Sequence, residues 1–161
     1  MRPMFENKLC EPADLPKRLE SLERPLVFTN GVFDILHRGH VTYLAEARTQ
    51  GRSLVVALNG DASAKRLGKG EDRPINNLRD RMALVAALQS VDLVTWFDED
   101  TPIEVIRICQ PDVLVKGGDW KKEAIVGAKE VEARDGRVFS IPFQWATSTS
   151  ALVERIRRQK P

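Results

Sequence analysis

Five short apolar runs punctuate this chain, and a segment of helical periodicity follows each of them. The runs are Leu26–Thr29, Ser53–Leu58, Val91–Phe97, Asp112–Val115 and Arg137–Ile141. They are continuously apolar rather than alternating, and no hairpin signal joins one to the next. That pattern predicts an α/β protein whose parallel sheet is covered on both faces. A length of 161 residues suits a single domain with a sizeable core. Residues 25–161 are expected to form it. Residues 1–24 are polar and irregular apart from a short helix near Leu15–Leu22, and read as an arm packed on it.

Between the runs, helices are expected over Gly39–Gln50 (closed by Gly51 just past its end), Asp61–Leu67, Leu78–Gln89, Ala124–Ala133 and Ser148–Arg158. Another starts at Thr101-Pro102, with proline well placed in a first turn. Residues 68–77 carry two glycines, a proline and mixed charges, and read as a mobile loop. In a parallel sheet, ligands bind beyond the carboxyl ends of the strands. Attention therefore falls on the loops at 30–40, 59–61, 98–101, 116–119 and 142–149.

The first of these loops carries the chemistry. Phe28 to His40 reads FTNGVFDILHRGH and contains both histidines of the protein, His37 and His40. A strand, a tight turn and a helix start in quick succession gather free backbone N–H groups and the positive end of a helix dipole, which suits a phosphate. Gly31 allows a sharp turn, and Gly39 a close approach of the phosphate. Asp34 could take a hydroxyl, an ammonium or a cation. An imidazole here can donate to a phosphoryl oxygen as charge builds in a transition state. The competing reading gives Asn30, Gly31 and Asp34 a turn-shaping role, with the histidines packing or capping.

Three further stretches are candidates. Thr147-Ser148-Thr149-Ser150 places hydroxyls at a helix N-terminus, either as a plain cap or as a phosphate seat. Lys116-Gly117-Gly118-Asp119-Trp120 puts a lysine at a strand end beside two glycines, either a phosphate contact or an ordinary turn. Lys65, Arg66, Lys69 and Arg73 could close over a triphosphate or an acceptor phosphate, with Lys69 the best placed and Lys65 and Arg66 more simply solvated. Arg81 either reaches the substrates or pairs with Asp80 or Asp98.

Composition excludes several alternatives. A net charge of +2 gives no support for nucleic-acid binding. No stretch is long and apolar enough to span a membrane, and the N-terminus lacks the apolar core of a signal peptide. Cys10 and Cys109 form neither a disulfide framework nor a zinc site, so a reduced, cytoplasmic setting is expected. No all-protein metal cage is visible.

GVFDILHRGH strongly resembles the HxGH signature of the cytidylyltransferase-like nucleotidylyltransferase superfamily. VKGGDW, the Asn59, Asp61, Ala62, Ser63 run and the Asp80-Arg81-Met82 helix start extend the likeness to its bacterial heptose-phosphate adenylyltransferase branch. The match covers about residues 26–156. The resemblance implies a Rossmann-like, doubly wound, five-stranded parallel sheet with helices on both faces, the HxGH nucleotidylyltransferase fold.

It also implies transfer of AMP from ATP to D-glycero-β-D-manno-heptose 1-phosphate, giving ADP-heptose for the lipopolysaccharide core and releasing pyrophosphate. His37, His40 and Lys116 would be catalytic. Thr29, Asn30, Gly31, Phe33, Gly39, Gly117, Asp119 and Thr147 to Ser150 would bind nucleotide. Asp34, Asn59, Asp61, Lys69 and Arg81 would bind the acceptor side. Mg²⁺ would accompany ATP, the chain would pair as a homodimer, and a sugar kinase, often fused in relatives, would be separate. One departure stands out. Where glycerol-phosphate cytidylyltransferases carry an R-T-E-G run, this chain has Phe143-Gln144-Trp145-Ala146. A cytidylyltransferase for glycerol 3-phosphate or another small polyol phosphate, and a non-catalytic nucleotide-binding module, are the alternatives.

Overall fold

The computed structural model describes residues 3–68, 70–145 and 148–158. Its centre is a five-stranded parallel sheet in the order β3-β2-β1-β4-β5. The strands are β1 (Leu26–Gly31), β2 (Ser53–Asn59), β3 (Leu93–Phe97), β4 (Val113–Gly117) and β5 (Arg137–Ile141). The helices are α1 (Leu15–Leu19), α2 (Arg38–Arg48), α3 (Asp61–Arg66), α4 (Leu78–Ala86), α5 (Ile103–Cys109), α6 (Ala128–Glu132) and α7 (Thr149–Arg158). Every pairing is parallel, with Phe28 opposite Val55 on one side and Leu114 on the other. The expected doubly wound, Rossmann-like architecture is the one observed.

The period-two alternation of a strand explains the two-sided core. Leu26, Phe28, Val55, Ala57, Leu93, Leu114 and Val138 point to one face and pack with Leu15, Val105, Ile106, Cys109 and Val131. Val27, Leu54, Val56, Leu58, Val94, Val113 and Val115 point to the other and pack with Tyr43, Leu44, Ala47, Met82, Val85 and Ala86. Both faces of β2 are therefore buried along its whole length. This is why its sequence shows no polar alternation.

The N-terminal segment is stitched to the free edge of β3. Leu9 forms a parallel bridge with Val94, and the Cys10 N–H donates to the Val94 carbonyl at 2.9 Å. Cys10 and Leu15 are buried in the common core. The segment blunts an edge that would otherwise present open hydrogen-bonding groups. Cys10 and Cys109 are both buried and unbridged.

Several element ends differ from expectation. The stretch Ala124–Ala133 is not one helix: a single 3₁₀ turn, Lys122–Ala124, precedes α6, and Gly127 at φ 87° separates them. Gly51 is not a left-handed cap. A Cβ there would sit 2.3 Å from the Pro25 carbonyl oxygen, so close packing against the start of β1 is what requires glycine. Residues 73–76 are not a loose loop: Arg73, Ile75 and Asn76 all hydrogen-bond to Asp34.

Candidate active site

All the parallel strands end at the same side of the molecule, and β1 sits where the strand order reverses. A cavity of about 520 Å³ opens there, a size suited to a nucleotide-scale ligand. His37 precedes α2 with extended backbone, φ −139° and ψ 170°, and its carbonyl accepts from the N–H groups of His40 and Val41. The two imidazoles stack, ring centroids 3.8 Å apart at 25°. They can stack because Gly39 lies beneath: a Cβ there would come within 3.0 Å of His37 Nδ1. His37 Nδ1 is buried and has no hydrogen-bond partner among the described residues. Burial also lowers the His37 pKa below its ordinary value.

The sharp turn after β1 is taken at Phe33, φ 50°, and not at Gly31, which ends the strand. Non-glycine residues rarely adopt that conformation, and it is typical of functional loops. It places the Phe33 ring edge-on to His40, centroids 5.3 Å apart, and 3.0 Å from where a Gly31 Cβ would be. Phe143, just past β5, closes the other side with edge contacts to His37, His40 and Tyr43. It lies 2.9 Å from a hypothetical Cβ on Gly117, so the β4 terminus is glycine because two aromatic rings crowd it. Lys116 Nζ bonds the Asn30 carbonyl at 3.2 Å and its side-chain oxygen at 3.3 Å, bridging the ends of β1 and β4. Opposite α2, α7 begins at the cavity. Ser148 caps it, its Oγ accepting from the Ala151 N–H at 3.1 Å, and Thr149 Oγ1 donates to the Ile35 carbonyl at 3.3 Å.

The structure thus brings together His37, His40, Lys116, Gly117, Asn30, Gly31, Phe33, Asp34, Asn59, Ser148, Thr149 and Ser150 around one cavity. Of the remaining described candidates, Thr29, Gly39 and Asp119 do not line it. Thr29 is buried and hydrogen-bonded to the Tyr43 hydroxyl, and Gly39 supports His37 from below. Asp119 is exposed beyond the rim. Thr147 and Lys69 lie outside the described residues.

One assignment needs correction. Arg81 is fully buried and reaches neither the cavity nor Asp80 or Asp98. Its guanidinium donates to the carbonyls of Asn76, Val32 and Asn59 and to Asp61 Oδ1, at 2.7–3.0 Å. Arg81 and Asp61 together hold the loop after β1 against the end of β2. Asp34 lines the same cavity and has protein partners of its own. Its Oδ2 accepts from Arg73 Nε at 2.6 Å and from the Ile75 N–H, and its Oδ1 from the Asn76 N–H. Burial alone would raise the Asp34 pKa, but those two backbone bonds and Arg73 outweigh it and hold the carboxyl below its ordinary range.

Sequence reasoning gave no site role to Tyr43, Phe143 or Trp120. Trp120 lines the cavity and donates to the Gly117 carbonyl at 3.1 Å. The aromatic positions flanking the glycines of β4 and its loop were the available signal. Trp145 lies under the Arg38 guanidinium, 3.4 Å from its ring centroid. Among the described residues, no cluster of His, Cys, Asp and Glu could hold a metal ion, and no helix is long and apolar enough to cross a membrane.

Comparison with known proteins agrees with this geometry. The model of the cytidylyltransferase-like family matches residues 28–155. The chain is 53% identical over 156 residues to D-beta-D-heptose 1-phosphate adenylyltransferase of Bordetella bronchiseptica, a match that covers 96% of each. It is also 53% identical over 135 residues to the bifunctional protein HldE of Hahella chejuensis, covering 84% of this chain but 28% of that one. Among solved structures, a lipopolysaccharide core biosynthesis protein from Thermoplasma volcanium aligns with a TM-score of 0.60 and 30% identity, over 76% of this chain and 98% of that one. A pantoate-beta-alanine ligase from Francisella tularensis, at 14% identity and a TM-score of 0.60, shares the fold across 91% of this chain and 72% of its own.

Proposed function

The chain belongs to the cytidylyltransferase-like family, and from that premise we propose that it transfers AMP from ATP to D-glycero-β-D-manno-heptose 1-phosphate. The products are ADP-heptose, a lipopolysaccharide-core precursor, and pyrophosphate. The observation that carries the reading is the stacked His37–His40 pair at the start of α2, facing the start of α7 across one cavity. Two helix N-termini and two imidazoles converging on one space suit a triphosphate undergoing substitution.

The reaction is an in-line displacement. An oxygen of the sugar phosphate attacks the α-phosphorus, the bond to the bridging oxygen of the β-phosphate breaks, and pyrophosphate leaves with the electron pair. The nucleophile is already anionic, so no general base is needed, and catalysis is positioning plus charge stabilisation. His37 and His40 donate to the phosphoryl oxygens. Lys116, anchored on Asn30, adds a fixed positive charge.

ATP enters as its Mg²⁺ complex. The lining carboxylates fit an ion carried by the triphosphate rather than a protein cage, since Asp34 is held by Arg73 and Asp100 by Arg66. The unbridged cysteines suit a cytoplasmic setting. A homodimer is the assembly that the resemblance implies, and sedimentation of the purified chain reads it.

Pyrophosphate release from the four pairings of ATP or CTP with heptose 1-phosphate or glycerol 3-phosphate tests the reading. Turnover is expected with ATP and the heptose. Product with CTP and none with ATP overturns the reading in favour of a cytidylyltransferase.

A further inference from the structure

The cavity is lined from both sides of β1: Lys116, Gly117, Trp120 and Phe143 belong to β4, β5 and the loops after them, and Asn59, Leu67, Arg73, Asp100, Thr101 and Pro102 to β2, β3 and the segments after them. His37 and His40 line it too. Arg73 is the basic residue of the β2–β3 side, and its state is unusual. The residue is only 8% exposed, yet the one hydrogen bond of its side chain among the described residues is from Nε to Asp34. Nη1 and Nη2 have no protein acceptor among the described residues, and Arg73 forms part of the cavity wall. A buried guanidinium is costly unless its N–H groups are satisfied. Here the carboxylate of Asp34 fixes one edge of the fork, and the four N–H of the other end remain for a ligand.

The backbone around Arg73 is fixed as well. Asp34 accepts from the N–H groups of Ile75 and Asn76, and Asn76 Nδ2 donates to the Asp34 carbonyl at 2.6 Å. On the outer side Asp72 pairs with Arg157 of α7. A planar fork held this firmly matches the paired oxygens of a phosphate monoester, which is the geometry for which arginine surpasses lysine.

We propose that Arg73 receives the phosphate of the acceptor, and that Asp34 is the positioning residue that aims it. The assignment rests on the adenylyl-transfer reading above. Two oxygens of the sugar phosphate bind Nη1 and Nη2, and the third is presented to the α-phosphorus held at His37 and His40. That oxygen forms the new P–O bond as pyrophosphate departs from the opposite face. No proton moves, and Arg73 stays charged throughout. Asp34 never touches the sugar.

Arg73→Lys keeps a charge beside Asp34 but removes the fork, and Arg73→Gln removes both. Asp34→Asn leaves the arginine and releases its aim. Each is measured for acceptor KM, kcat and the Kd of a non-hydrolysable ATP analogue, with circular dichroism and thermal melting to confirm folding. Arg73→Gln is expected to raise the acceptor KM at least tenfold while analogue Kd stays within about twofold. Arg73→Lys and Asp34→Asn should raise acceptor KM by smaller factors, with the analogue again unaffected. A purely structural role would instead shift both ligands together.

An Arg73→Lys protein that folds and keeps wild-type acceptor KM overturns the assignment. So does loss of analogue binding with acceptor KM unchanged, which places Arg73 on the triphosphate. If wild-type protein gives no pyrophosphate from ATP and heptose 1-phosphate, adenylyl transfer to this sugar fails, and this assignment with it. Should Arg73→Gln not fold, Arg73→Lys and the double variant Asp34→Asn/Arg73→Gln, which buries no lone charge, decide the matter.

Discussion

In the proposed reaction the surroundings of His37 change when the triphosphate binds. In the empty protein, burial holds its pKa below the ordinary value, so the ring is neutral at pH 7. A triphosphate placed against it favours the imidazolium, so binding takes up a proton. Affinity therefore falls as pH rises through the window between the free and bound pKa values. Titration calorimetry of an ATP analogue in two buffers of different ionisation heat should register that uptake, and His37→Asn should diminish it. In the ligand-free protein the shift works against acid stability: from about pH 6.5 downward the unfolded chain binds the extra proton first, so stability drops as pH falls through the folded value. His40→Ala should lower kcat by roughly a hundred- to a thousandfold, the usual cost of one lost transition-state donor. Single-turnover measurements at saturating ATP check it.

Arg81 teaches a different lesson at the same scale. As a sequence letter it was a cation near a phosphate site. Its partners, the carbonyls of Val32 and Asn59 and the carboxylate of Asp61, lie 49, 22 and 20 residues away, and no local pattern announces such bonds. Removing it leaves buried acceptors unpaired, so Arg81→Met is expected to cost about 3–5 kcal/mol in urea unfolding. The His37–His40 pair was legible because its chemistry is local: two rings, a glycine and a helix start within a few residues. The Arg73–Asp34 contact was not, because a 39-residue separation joins it.

At the scale of elements, all five strands could be read from apolar runs, since burial on both faces leaves little polar interruption. Strand ends were less legible: β1 continues through Asn30 and Gly31, polar and small residues kept in register by pairing with Ala57 and Leu58. Helix ends depended on contacts that sequence does not display, such as Gly127 breaking the stretch before α6. The start of α2 carries its own prediction. Gly39→Ala adds a methyl 3.0 Å from His37 Nδ1, and alanine favours helix over glycine. The variant should fold at least as stably as wild type by thermal melting, yet lose activity because the stacked ring is displaced.

Across the whole molecule, strand order was beyond the sequence, because alternating strands and helices are compatible with more than one winding. The observed order puts β1 at the reversal point, which is why one short loop commands the cavity. The N-terminal segment reads by composition as an arm packed on the domain, and Leu15 anchors it as a core residue. Leu15→Ala is expected to lose about 2–5 kcal/mol by denaturant titration.

The two buried thiols offer a clock for such opening. Burial and the neighbouring Cys10 push the Cys109 thiol up to about 12, so at pH 7 only about one molecule in 10⁵ would carry the reactive thiolate even if reagent could reach it. Alkylation must therefore wait for the fold to open. A ligand bound only to the closed form should slow labelling by the factor 1 + [L]/Kd, turning a modification rate into a calorimeter-free measure of nucleotide affinity.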